Sequence, residues 1–91
     1  MKRPMTLSAL SGLGPRSQAM LARAGITDLE TLQALGSVEA YRQARAANTG
    51  VSLNLLWGLE AALTGLPWQQ VAKTHRTSLL LALDAADRAA N

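Results

Sequence analysis

Gly12, Leu13 and Gly14 lead directly into Pro15, Arg16 and Ser17, and no acidic residue occurs before Asp28. A Gly-apolar-Gly turn that runs into a helix opening with proline leaves backbone N–H groups at the positive end of that helix. Such an end is suited to an anion. Lys2, Arg3, Arg16 and Arg23 place four positive charges around it, unopposed by any acid in residues 1–27. The remainder holds five Lys/Arg against six Asp/Glu, a formal charge of −1, so the net +3 resides in the segment with the glycine turn. That asymmetry points to phosphate, on nucleic acid above all. The candidate DNA-binding residues are Gly12, Leu13, Gly14, Arg16, Ser17 and Arg23: the amides of Gly12 and Gly14, the guanidinium of Arg16, the hydroxyl of Ser17 and, one stripe along the same helix, Arg23 would contact phosphate, with Leu13 between the glycines. Leu13 is the plug that holds the turn. The same glycines also fit a purely structural reading, a tight helix–helix connection that needs glycine backbone angles. One turn can serve both purposes.

No other constellation suggests chemistry. The chain has no cysteine, so disulfides, thiolate metal sites and cysteine nucleophiles are excluded. His75 is the only histidine and has no partner at metal-ligand spacing, so it reads as a solvated surface residue. Asp84 and Asp87 read as solvent-facing charges beside Arg88. No nucleophile–base arrangement, P-loop or dinucleotide fingerprint is present, and neither catalysis nor a cofactor is expected. Tyr41, Trp57 and Trp68 are the only aromatics. Both tryptophans lie in apolar surroundings and read as core, which leaves too few rings for a single-strand stacking platform. Arg42 and Arg45 form either a second basic patch or a solvated helix face.

The elements that carry these residues are helices. Apolar residues make up 48% of 91 residues, mostly Leu and Ala, which favour helix. A chain of this size forms one domain and buries roughly 60–65% of its unfolded surface. Gly and Pro divide it into short segments. Thr6 to Leu10 is a first helical turn or two, and Pro15 to Ala24 a helix ending at Gly25. The Thr27-Asp28-Leu29-Glu30 capping box starts a helix with Leu29, Leu32 and Leu35 that stops at Gly36. Ser37 caps the next, with Val38, Tyr41 and Ala44 inward and Arg42 and Arg45 outward, ending at Asn48-Thr49-Gly50. Ser52 caps a helix from Leu53 to Thr64 that is apolar almost all round, hence a buried hub. Gly58 in its middle implies that another helix packs close by. After Gly65, Pro67 opens a short segment with Trp68 and Val71. Thr74 caps a last helix to about Ala90, with Leu79, Leu80, Leu83, Ala86 and Ala90 inward and an Asp84–Arg88 pair outside. Leu81 falls off that stripe; the Leu and Ala of the last helix read either as core or as a partner-binding face, and an exposed Leu81 would hint at a homodimer through it. The pattern predicts an all-α, compact orthogonal bundle of five to six short helices.

Two segments resemble known domains. Leu10-Ser11-Gly12-Leu13-Gly14-Pro15-Arg16-Ser17 resembles the hairpin of helix-hairpin-helix DNA-binding domains. The run from Val51 through Trp57-Gly58-Leu59-Glu60 to Gly65, followed by Trp68, is the more distinctive. With Ala24-Gly25-Ile26-Thr27 and Val38-Glu39-Ala40-Tyr41, it is similar to the C-terminal domain of the TfoX/Sxy family, bacterial regulators of DNA uptake (competence). The similarity extends over about residues 6–83, with residues 1–5 as a basic tail. It implies a helix-hairpin-helix-like or SAM-like fold, and a role in switching on competence genes together with the cyclic-AMP receptor protein. DNA, or a transcription-regulator protein, is then the expected partner. Family regulators commonly carry an additional N-terminal α/β domain, for which this chain has no room. Gln18 stands where helix-hairpin-helix motifs usually have a small Ala, and either loosens the helix packing or points to solvent. Neither a signal peptide's apolar run nor a membrane span of ~20 residues is found, and the expected location is cytoplasmic.

Overall fold

The chain folds into α1 (Pro15–Arg23), α2 (Leu29–Ala47), α3 (Leu53–Thr64), α4 (Trp68–Thr74) and α5 (Arg76–Ala89). This computed structural model describes residues 13–90. The turn expected over Thr6 to Leu10, and Gly12, lie outside the described residues. Every element of the described residues is a helix, so the all-α expectation holds.

α1 begins at Pro15 behind an extended Gly14 (φ −81°, ψ 176°). Its end is set by Gly25, whose φ of +82° suits a residue without a Cβ. The Gly25 amide donates to Ala22 at 3.0 Å and the Ile26 amide reaches back to Leu21 at 2.9 Å. These paired bonds satisfy the last carbonyls, and the buried side chains of Ile26 and Leu21 supply the hydrophobic contact that accompanies this kind of cap.

α2 starts one residue later than the capping-box reading implied. Asp28, not Thr27, is the cap: its Oδ1 accepts from the Thr31 amide at 2.8 Å. A carboxylate here meets both the orphan amide and the positive helix end, which a hydroxyl does less well. The break expected at Gly36 is present inside α2, where Gly36 takes φ 79° and ψ 167°. Residues 29–35 and 37–47 are therefore two arms of a bent element. Gly36 occupies the position expected of Ser37. The Ser37 side chain is buried instead, and its hydroxyl donates to Glu60 Oε1 on α3 at 2.9 Å.

α3 has the bounds read from the sequence and is the hub, packed against α2 and α4. Leu55, Leu56, Trp57, Gly58, Leu59 and Ala61 are all buried. Ser52 is its cap residue, but the hydroxyl makes no capping bond. Gly65 ends the helix at φ 76°, with its amide on Ala61 at 2.8 Å. Leu21, Ile26, Leu32, Leu56, Leu59 and Val71 form the fully buried centre, one residue or more from each of the first four helices and the turn after α1.

The α4–α5 joint differs from expectation. Thr74 does not cap α5; its hydroxyl donates to the Gln70 carbonyl at 2.8 Å, closing α4. His75 is the joint itself, ending α4 and preceding α5. The α5 inward stripe is narrower than expected: Leu79 and Leu83 are buried, Leu80 and Ala86 half-buried, and Ala90 exposed. Its polar side is not simply solvated. Asp87 Oδ1 accepts from Arg42 Nε at 2.9 Å and from Arg45 Nη2 at 2.6 Å, tying α5 to α2. Arg42 also bonds Glu39 at 2.8 Å, and the Arg45 guanidinium lies 5.6 Å from the Tyr41 ring centre. Arg42 and Arg45 are thus not a free basic patch but a partly solvated helix face whose charges are matched by Asp87 and Glu39. The Asp84–Arg88 pair forms as read, at 3.1 Å on the surface. Among the described residues no helix is long and apolar enough to cross a membrane.

Candidate nucleic-acid interface

The turn before α1 is held from below and open above. Leu13 is buried, 6% exposed, and anchors the bend in the core. The larger side chain of Gln18 turns back onto the bend rather than pointing to solvent; the helix it was expected to loosen lies outside the described residues. Gln18 Nε2 donates to the Leu13 carbonyl at 3.1 Å, while the Gln18 amide donates to the Gly14 carbonyl at 3.0 Å. The turn's carbonyls are thereby occupied, and the exposed edge is left to its donors. Gly14 is exposed, and a Cβ added there would meet nothing within 4 Å. No side chain caps α1, and its first turn carries no acid. Pro15 has no N–H, so the amides of Arg16 and Ser17 are the donors at this end.

The Arg16 side chain is exposed and has no acidic partner among the described residues. Ser17 is half-buried beside it. Arg23 lies seven residues on, and both arginines border one cleft of about 280 Å³ together with Asn48 and Thr49. Arg23 is steered there by Asn48: its Nη1 donates to Asn48 Oδ1 at 3.0 Å. The Asn48 Nδ2 in turn donates to the carbonyls of Met20 and Ala44, each at 2.9 Å. This amide braces the C-terminal half of α1 against the end of α2. Because it is neutral, Arg23 keeps its charge uncompensated. The structure thus brings Leu13, Gly14, Arg16 and Ser17 together at one helix end, with Arg23 beside them; Gly12 lies outside the described residues.

A second, larger cleft of about 440 Å³ opens on the other side of Arg16, between α1, the 50–54 segment and Trp68. Here the sequence reading requires correction. Trp57 is buried, but Trp68 is 47% exposed and is not a core residue. The ring sits at the first position of α4, directly after Pro67. The polar pair Gln69-Gln70 following it was the available signal. Asn48 was also missed; an Asn placed just past a helix and before a Thr-Gly turn was its only mark.

His75 too departs from expectation. It is half-buried, with Nδ1 3.2 Å from Glu60 Oε2. Glu60 stands between His75 and the Ser37 hydroxyl, and the trio fastens α2, α3 and the α4–α5 joint. Among the described residues no group of three His, Asp or Glu could hold a metal ion.

Compared with known proteins, the chain has no match among curated proteins or solved structures. The sequence model of one family, the TfoX C-terminal domain, does match, over residues 3–83. That span takes in the turn, all of α1 to α4 and the buried half of α5, and the chain accordingly belongs to the TfoX C-terminal domain family.

Proposed function

We propose that this domain is a regulatory binding module that contacts the DNA backbone, without reading base sequence, through the start of α1. The TfoX C-terminal family is of a regulatory type rather than a known enzyme class. The observation that carries the DNA reading is Arg16: an exposed guanidinium with no acid partner among the described residues, next to an uncapped helix start on an open glycine. The Gly14 amide, the amides of Arg16 and Ser17 and the Ser17 hydroxyl would complete a phosphate cradle, with Gly12, outside the described residues, as the further candidate, and Arg23 would reach the next phosphate. Such contacts orient a protein on a duplex and carry no sequence information. Promoter choice would then come from a partner, in keeping with a role in competence alongside the cyclic-AMP receptor protein.

With two to four phosphates engaged, log K should fall against log salt with a slope of roughly −2 to −4. Fluorescence anisotropy of a labelled duplex at two salt concentrations measures this. A Gly12→Ala/Arg16→Ala double variant should bind more weakly and with a shallower slope; an unchanged affinity would remove the site. A second reading, a protein–protein module that self-associates through α5, is favoured by Leu81, 66% exposed on that helix. A dimer in sedimentation that Leu81→Glu weakens, together with no duplex binding at low salt, would favour it over the DNA reading.

A further inference from the structure

Scattered exposed apolar residues are ordinary, so the exposure of Trp68 alone says little. Its setting says more. The indole forms one wall of the 440 Å³ cleft, and Arg16 stands on another. Ser52 and Asn54, both exposed, come from the start of α3; Met20 and Leu55 supply apolar lining. The Ser52 hydroxyl is not spent on capping its helix. The backbone fixes the ring's place: Gly65 turns at φ 76° and Pro67 sets φ −60° immediately before it. A cation, a flat aromatic face and an amide that both donates and accepts now share one cavity. Its volume is within the roughly 300–1,000 Å³ of small-ligand sites.

A nucleotide uses every one of these groups: phosphate on the guanidinium, base on the indole, base edge on the amide. A lone carboxylate would use Arg16 and leave the ring and amide idle. We propose that this cleft takes one unpaired nucleotide of a DNA strand, with its phosphate on Arg16, its base against Trp68 and its edge on Asn54. The proposal rests on the DNA reading above and deepens it: the α1 turn follows the backbone while the cleft captures a base at an end or an opened site. A tract of bases is not accommodated, because Trp57 and Tyr41 are buried and one ring stacks one base.

The test titrates the full chain with a short single strand, the blunt duplex of the same sequence, and free deoxythymidine monophosphate, reading anisotropy and indole fluorescence. The strand should quench the indole. Trp68→Ala should weaken strand binding about ten-fold, as expected for losing one stacked base, and leave duplex affinity within about two-fold. Trp68→Phe, which keeps a ring, should retain most of the strand affinity. Asn54→Leu, at an exposed position, should weaken the strand and spare the duplex. Strand affinity unchanged in Trp68→Ala, or strand and duplex weakened equally, would overturn the proposal. A free deoxynucleotide binding as tightly as the strand would overturn it too, since the ligand would then be a soluble nucleotide. The two readings fail separately: duplex affinity indifferent to Arg16→Ala defeats the backbone contact, whereas sensitivity to Arg16 without sensitivity to Trp68 defeats only the cleft.

Discussion

Among the described residues, the arginines that sequence makes equivalent have different fates. Arg42 and Arg45 converge on Asp87, and those two hydrogen bonds, that of Arg45 foremost, hold the Asp87 carboxyl below its ordinary value. The same bonds raise Arg42 and Arg45. Asp28 is lowered as well, chiefly by the Thr31 amide it caps. Both carboxylates are depressed in the folded state. Their stabilisation is therefore full above the ordinary carboxylate value of about 3.9 and is lost as pH falls through the lower folded value. Thermal melts followed by circular dichroism should show stability falling below about pH 4. In Asp87→Asn the neutral-pH melting temperature should be lower and the acid-induced loss smaller. An identical acid profile in the variant would mean that the Asp87 pairs contribute nothing.

Helix ends and joints are the decisive elements. Gly36 bends α2 so that Leu32 on one arm and Ala40, Tyr41 and Ala44 on the other all reach the core. Its φ of 79° with ψ of 167° lies in a region essentially restricted to glycine. A Cβ there would meet no neighbouring atom within 4 Å, so the cost of a side chain is backbone strain and not a clash. Gly36→Ala should lower unfolding free energy by about 1–3 kcal/mol in urea titrations. Gly14→Ala, equally free of neighbours but at φ −81°, should cost much less. Equal losses in the two variants would contradict the strain argument.

For the whole molecule, the ion pairs sort the charge. Arg42, Arg45 and Arg88 are matched to acids on α2 and α5, whereas among the described residues Arg16, Arg23, Lys73 and Arg76 pair with none, and of these Arg16 and Arg23 border the clefts. With Lys2 and Arg3, the two cleft arginines concentrate the positive charge that a polyanion would feel. Arg16→Ala should reduce the salt slope of duplex binding by about one unit. Arg42→Ala should leave that slope unchanged and instead lower the melting temperature, because it loosens α5 from α2. Equal effects of the two variants on the slope would indicate diffuse attraction by net charge rather than a localised contact.

The sequence by itself determined where the chain is helical and where it stops. Gly25, Gly36 and Gly65 all take positive φ, and α3 runs from Leu53 to Thr64 as its apolar run between Ser52 and Gly65 indicates. These signals act within about one helical turn, so they survive in any tertiary context. Cap chemistry was less legible: Thr27 and Asp28, or Thr74 and His75, compete as neighbours, and only geometry chooses between them. The tertiary structure alone decided which side chains meet. Asp87 with Arg42, and Ser37 and His75 with Glu60, are joined by the way helices cross after separations of 45, 23 and 15 residues. The place of Trp68 in a cleft beside Arg16 is of the same kind. Apolar type says that a ring can be buried; the turn from Gly65 to Pro67 and the course of α1 decided that this one faces solvent.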